Sequence, residues 1–155
     1  VCDFTYLRAA GRFYYLCVIL DLFSRKVIAY KLSAYLDTKL AIETLDMAVA
    51  NRNASNGVIF HSDRGCQFTS EAFRKHLGEL NIVQSFSAKG HPYDNAVMEC
   101  FFKYLKKEET NRRTYSSFDE LKLSIFQYIH GFYNSFRPHS HNNGLSPDLA
   151  EVNFL

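Results

Sequence analysis

Three acidic residues stand in settings that suit metal-assisted phosphate chemistry. Asp3 lies in Asp3-Phe4-Thr5-Tyr6-Leu7. Asp63 lies in His61-Ser62-Asp63-Arg64-Gly65-Cys66-Gln67-Phe68-Thr69-Ser70. Glu99 lies in Lys89-Gly90-His91-Pro92-Tyr93-Asp94-Asn95-Ala96-Val97-Met98-Glu99. Hard divalent cations prefer carboxylate oxygens and keep open positions for water and phosphate, so an Asp, Asp, Glu trio is a donor set for two magnesium ions against a phosphodiester. Each acid alone also has a bland reading. An Asp after a strand is commonly a turn or cap residue, and Glu99 with Lys103 is an i,i+4 surface pair worth about 0.3 kcal/mol. Asp21 and Asp94 read in that bland way, as a hairpin residue and a helix cap.

The elements that must position these acids follow from the flanking pattern. Phe4–Leu7 predicts a short strand with Asp3 at its start, and Gly11-Arg12 a turn. The apolar run from Phe13 to Leu20 predicts a central strand buried on both faces. Asp21 to Arg25 reads as a hairpin connection, with Lys26 to Leu32 returning. Asp37-Thr38 caps a helix to about Arg52, with Ala41, Leu45, Ala48 and Val49 on one face. After a turn from Asn53 to Gly57, Val58-Ile59-Phe60 predicts a short buried strand that delivers Asp63 beyond its carboxyl end, where ligand sites of α/β sheets lie. Gly65 then allows close backbone approach. If the first strand lies beside this one, the two aspartates converge.

Ser70 caps a second helix with Phe73 and Leu77 inward, and Ile82-Val83 reads as a last strand. Ser87 to Tyr93, with Gly90 and Pro92, reads as a mobile loop. Asp94-Asn95 can cap a third helix through about Glu109. On it Val97, Met98, Phe101, Phe102 and Leu105 share one broad face, while Glu99, Lys103 and Lys106 share another. An acid for metal followed by two cations for flanking phosphates suits DNA. Lys89, Arg64 and Asn95 flank the site as further DNA-contact candidates. Lys107, Arg112 and Arg113 read as a solvated face offset by Glu108 and Glu109. Ser117 and Glu120 fit a capping box for a fourth helix with the stripe Leu121, Ile125, Ile129, Phe132 and Phe136. The tail from Arg137-Pro138 to Pro147 reads as loop. Hairpin strands followed by helix–strand alternation predict an α/β layer fold with a mixed sheet.

Composition sets wide bounds. A chain of 155 residues that is 47% hydrophobic is one domain with material for a real core. The 14 Phe and 10 Tyr, with no Trp, read chiefly as packing. A net charge of +2 does not by itself announce a nucleic-acid binder. Cys2, Cys17, Cys66 and Cys100 are too scattered for a zinc site and read as free thiols of a reducing cytoplasm. No apolar run approaches the ~18 residues of a membrane span, and no signal-peptide pattern is visible. His61 reads as a hydrogen-bonding or packing residue, and His139 and His141 as loop residues, since magnesium has little use for imidazole.

Taken in order, these segments resemble the integrase-core transposases of bacterial insertion sequences, relatives of retroviral integrases. Asp3-Phe4-Thr5-Tyr6 looks like the family's first-Asp segment, and Leu20-Asp21-Leu22-Phe23-Ser24-Arg25-Lys26 its second-strand hairpin. His61-Ser62-Asp63-Arg64-Gly65 looks like its second-Asp signature, and Tyr93-Asp94-Asn95-Ala96-Val97-Met98-Glu99 its Glu signature. Tyr133-Asn134, Arg137-Pro138-His139 and Leu145-Ser146-Pro147 resemble its closing segment. Cys66 and Cys100 depart from the small hydroxyl residues usual there.

The resemblance implies a ribonuclease-H-like fold, a five-stranded mixed sheet flanked by helices, with residues 1–155 forming one integrase catalytic core. The helix-turn-helix region that full-length relatives carry upstream is expected to lie outside this segment. It implies Asp3, Asp63 and Glu99 as catalytic metal ligands for two Mg2+ ions, with Mn2+ able to substitute. It also implies cleavage and strand transfer of DNA without a covalent protein–DNA intermediate. The expected partners are transposon ends, target DNA and further copies of the chain in a multimer; the expected setting is the bacterial cytoplasm, at the nucleoid when on DNA. A hydrolytic nuclease of the same fold and a non-catalytic DNA-binding or multimerising remnant are the competing readings.

Overall fold

The computed structural model describes residues 1–52, 57–88 and 95–153. Three antiparallel strands come first: β1 (Cys2–Ala9), β2 (Arg12–Leu20) and β3 (Val27–Ser33). The β1–β2 turn is Ala10-Gly11, both left-handed at φ 49° and 74°, which is the two-residue geometry that matches strand twist. Asp21 builds the next connection, its Oδ1 accepting from the Phe23 and Ser24 amides at 2.7 and 3.3 Å. Helix α1 (Thr38–Arg52) follows, with the Leu40 amide donating to Asp37 Oδ1 at 2.8 Å. Then come β4 (Ile59–Ser62), a single turn α2 (Cys66–Thr69), α3 (Glu71–Glu79), β5 (Val83–Phe86), α4 (Ala96–Glu108) and α5 (Phe118–Tyr128).

The alternating faces of β2 show why its sequence is apolar from Leu16 to Leu20, where both faces are covered. Leu16, Val18 and Leu20 join α4 and α5 through Met98, Phe101, Leu105, Leu121 and Ile125. Cys17 and Ile19 face the other way, into a core with Leu40, Leu45, Phe60, Phe68, Phe73 and Leu77. The sheet thus has helices on both sides, as a fully buried strand requires. β4 and β5 pair in parallel, and β1 lies beside β4. Among the described residues five strands form two hydrogen-bonded ladders, β1–β2–β3 and β4–β5, rather than one continuous ladder.

Four local expectations need correction. The run Val58-Ile59-Phe60 is not a buried strand: Ile59 is 65% exposed, and only Phe60 of the three is buried, because the period of two turns neighbours to opposite faces. The strand also extends through His61 and Ser62. The α5 stripe breaks after Ile129. A π-turn, Ile129–Tyr133, carries the Asn134 amide to the Ile129 carbonyl at 2.9 Å, and the extra residue rotates Tyr133 inward. Phe132 and Phe136 are consequently 41% and 73% exposed. Glu120 completes its cap on Ser116, accepting from that amide at 2.7 Å, while Ser117 Oγ accepts from the Glu120 amide at 3.1 Å.

The tail, finally, is more than loop: it ends in α6 (Pro147–Asn153). Glu151 of α6 accepts from Ser24 Oγ at 2.9 Å and pairs with Lys26 and Arg52, and Lys26 also reaches Asp148 at 2.9 Å. Among the described residues no helix is long and apolar enough to cross a membrane.

Asn134 is buried just after the π-turn and reproduces a strand partner for β3. Its Oδ1 accepts from the Val27 amide and its Nδ2 donates to the Val27 carbonyl, both at 3.0 Å. Asn134→Ala leaves two buried backbone groups unpaired, so the expected loss is about 2–4 kcal/mol in urea unfolding. Asn134→Asp keeps the acceptor but sets a buried carboxylate oxygen against the Val27 carbonyl, so it should lose at least as much as Asn134→Ala; equal midpoints for wild type and Asn134→Ala would contradict this role.

Candidate active site

The beginning of β1, the end of β4 and the first turn of α4 meet at one corner of the sheet, each bringing one acid. Asp3 is the second residue of β1, paired with Val18 of β2. Its Oδ1 accepts from the Phe4 amide and its Oδ2 from Asn95 Nδ2, each at 2.7 Å. The carboxyl is half-buried, and its pKa is raised above the usual aspartate range. Burial is the main cause; the neighbouring charges of Asp63 and Glu99 push the same way, while the two hydrogen bonds pull against it. The two aspartates and the glutamate, distant in sequence, are therefore electrostatic neighbours.

Asp63 follows β4 directly and is exposed. Its Oδ1 accepts from the Gly65 amide at 2.9 Å, closing a tight turn. Gly65 has an ordinary φ of −56°, so it is needed for space rather than for a left-handed backbone. A Cβ there would stand 3.0 Å from Asp63 Oδ1 and 3.3 Å from Gln67 Oε1. Glu99 is exposed in the first turn of α4, where the helix dipole favours negative charge. It forms no i,i+4 pair with Lys103, so the bland reading of that pair does not hold.

Asn95 occupies the cap position of α4 but makes no side-chain cap. Its amide is committed to Asp3, and its Oδ1 is buried without a hydrogen-bond partner. This partnership had no local signal, because Asn before a helix reads as a cap. Asp94 and Lys89 lie outside the described residues, as do most of the Ser87–Tyr93 loop and of the Asn53–Gly57 turn. Arg64 is exposed with its guanidinium carbon 5.6 Å from the Phe86 ring centre. Lys103 is exposed, but Lys106 departs from that solvent line and sets its Nζ 4.7 Å from the Tyr6 ring centre.

His61 bonds Ser85 Oγ and Ser87 Oγ through its two ring nitrogens, at 3.0 and 3.1 Å, the hydrogen-bonding role expected of it. His141 bonds Arg25 and the Phe23 carbonyl. His139 is half-buried against Tyr133, and burial lowers its pKa to about 4. Arg113 pairs with Glu109 as a solvated face should, whereas Glu108 turns to Arg137 at 2.9 Å and to the Tyr128 hydroxyl at 2.6 Å. The four cysteines are free thiols.

Among the described residues no three His, Cys, Asp or Glu side chains stand close enough to enclose a metal ion as they are placed. The acids come within electrostatic range of one another. Their chemistry nevertheless fits a hard divalent ion: all three donors are carboxylates, and a buried amide oxygen beside Asp3 lacks a partner.

The raised pKa gives a test. An acid whose folded pKa lies above its unfolded value penalises the folded state once it ionises, so the penalty is present at neutral pH and disappears as pH falls through the aspartate range. Asp3→Asn should therefore raise the melting temperature of the metal-free protein at pH 7, with Asn95 turning its unpartnered oxygen toward the new amide. The gain should shrink below about pH 4. A lower melting temperature at pH 7, measured in a chelator, would contradict the electrostatic account.

A family model described as Integrase core domain matches residues 1–92, and a second of the same description matches residues 80–147. Over 149 residues the chain is 40% identical to the Escherichia coli K12 protein named Transposase InsF for insertion sequence IS3A, covering 96% of this chain and 52% of that one. Over 94 residues it is 56% identical to a Lactococcus lactis protein named ATP-dependent protease, covering 61% of this chain and 30% of that one. The chain thus spans about half the length of the transposase it matches, and less of the second relative. Among solved structures, a chain of the simian T-cell lymphotropic virus intasome in complex with PP2A regulatory subunit B56 gamma aligns with a TM-score of 0.72 at 18% identity, over 96% of this chain and 52% of that one. The HTLV-2 integrase catalytic core in complex with magnesium aligns with a TM-score of 0.60 at 16% identity, over 94% of this chain and 89% of that one. At those identities the likeness shows the fold, which is ribonuclease-H-like. With a family model covering more than half of its residues, the chain belongs to the integrase core domain family.

Proposed function

We propose that this chain is the catalytic core of a bacterial insertion-sequence transposase, a polynucleotidyl transferase that cuts DNA at element ends and joins it to a target. The observation that carries the reading is the meeting of Asp3, Asp63 and Glu99 from three separate elements, with Asp3 held half-buried against the preference of its charge. A scaffold that holds a half-buried acid beside two other acids, with no cation to offset its charge, is a common mark of a functional carboxylate. Asp3, Asp63 and Glu99 would hold two magnesium ions, for which manganese could substitute; bound there, the ions would favour the attacking hydroxyl and offset charge on the leaving oxygen.

The chain's own residues have defined tasks in this proposal. Asn95 fixes the direction of Asp3 through its side-chain amide. The Gly65 amide fixes Asp63. Lys103 and Lys106 follow Glu99 along α4 and would meet phosphates beside the reacting one, with Arg64 and Lys89 flanking. No Ser or Tyr nucleophile is needed, because water or a DNA 3′-hydroxyl attacks directly. Joining two ends calls for two active sites, so the chain would act as a multimer on DNA, in the bacterial cytoplasm.

Glu99→Gln removes one metal-binding charge without changing side-chain size. It should abolish magnesium-dependent cleavage and joining of an oligonucleotide carrying the element end, while leaving DNA affinity within a few-fold of wild type. Joined products from wild type would separate a transposase from a hydrolytic nuclease, which releases cut ends only. Retained cleavage by Glu99→Gln would refute the assignment of that residue.

A further inference from the structure

Helix α4 is tied to β1 at two places. Near its start Asn95 holds Asp3, and a helix length further on Lys106 lies over Tyr6. Beyond that, the Ala10 amide donates to the Tyr115 carbonyl at 2.8 Å. The helix therefore runs in the same direction as β1. β4 has four residues against eight in β1. The second half of β1 is left facing a groove of about 440 Å3, walled by the β1–β2 hairpin on one side and by the end of α4 and residues 110–115 on the other.

The lining of this groove is distinctive. Arg8, Lys106 and Arg113 contribute three cations, and no acid lines it. Tyr6 and Phe13, edge to face at 5.3 Å, are 59% and 54% exposed at the mouth. Lys106 has no carboxylate partner; desolvation lowers its pKa, and Tyr6 is its neighbour. Arg113 shares Glu109 at 3.2 Å, which lies outside the lining. An ordinary solvated surface mixes signs, whereas this one offers only positive charge beside exposed rings, the combination that tracks a nucleic-acid strand.

We infer that this groove is a binding track for the phosphodiester backbone of the substrate DNA leaving the three acids, with Arg8 and Arg113 as contacts beyond Lys103 and Lys106. The inference rests on the reading of Asp3, Asp63 and Glu99 as the reacting centre. Its scale agrees: Glu99 to Lys106 is about 10 Å of helix at ~1.5 Å per residue. That distance is about three base pairs at 3.4 Å each, so Lys106 meets DNA there and Arg8 and Arg113 meet the next phosphates. Tyr6 and Phe13 shield these contacts from water.

The test is the salt dependence of binding to a 25-base-pair duplex between 50 and 200 mM salt. It compares wild type, Arg8→Gln/Arg113→Gln, Glu99→Gln, and a control, Lys39→Gln/Lys122→Gln, on exposed positions of α1 and α5. Each lost phosphate contact lowers the slope of log affinity against log salt by about 0.9, so the groove variant should lose nearly two while the control and Glu99→Gln keep the wild-type slope. An unchanged slope in the groove variant, or an equal loss in the control, overturns the track. Cleavage retained by Glu99→Gln refutes the acid assignment while leaving the slope result standing, so the two failures can be told apart. Wild type without salt-dependent binding overturns both.

Discussion

Holding Asp3 ionisable in a half-buried position is the constraint around which this molecule is arranged. Burial and two neighbouring acids both disfavour its charge, and only the Phe4 amide and the Asn95 side chain oppose them. Such a carboxylate needs a backbone that does not yield. That firmness comes from β1 pairing along its length with β2, a strand buried on both faces between two hydrophobic cores. The aromatic richness of the chain belongs here. Phe4 stacks on Phe68 at 5.0 Å immediately beside Asp3, and Phe68 contacts Phe60 and Phe73, so the strand carrying one acid is packed through a ring cluster to the strand that delivers another.

Local chemistry was readable from the sequence where cause and effect lie within a few residues. Asp37, Ser70 and Ser117 cap the helices they precede, Asp21 builds its hairpin turn, and the apolar run of β2 is buried on both sides from Leu16 onward, with Phe13 at its start exposed. The three acids were legible as a set through their order and neighbours, since none has a distinctive signal alone. What could not be read depends on distant partners. Asn95 looks like a cap, and only the fold brings Asp3 to it. Lys106 shares a helical face with Glu99 by spacing, yet the presence of Tyr6 turns it aside. The stripe of α5 fails after Ile129 because one inserted residue in the π-turn cannot be distinguished from regular helix by periodicity. Nothing local predicts that Asn134 will pair with Val27 across the molecule.

The closing segment stabilises by a different means from the core. Ser24, Lys26, Asp148, Glu151 and Arg52 form a linked set of charges and hydrogen bonds between the β2–β3 hairpin, α1 and α6. Such partly exposed pairs contribute little each, and their value lies in geometry. Together with the Asn134 bridge they fasten the tail across the start of β3. Glu108 does similar work at the end of α4, taking Arg137 and Tyr128 while Arg137 stacks 3.8 Å from the Tyr104 ring centre. α4 is thereby held at its far end by the tail and at its near end by Asp3.

Fixing α4 at both ends matters because the helix carries an acid and two cations on a single rod. Any tilt that moved Glu99 away from Asp3 would also move Lys106 off Tyr6, so the alignment of the acids and the shape of the basic groove are set by the same contacts. The short length of β4 is the complementary condition. A partner strand as long as β1 would cover Tyr6 to Ala9, satisfy the sheet edge and close the groove. Leaving that edge uncovered costs sheet pairing, and exposed edges are ordinarily blunted by charge or by a covering element. Here α4 covers it incompletely, with Lys106 and Arg8 at the opening, so the charge that discourages pairing with another strand is the same charge that suits a DNA phosphate.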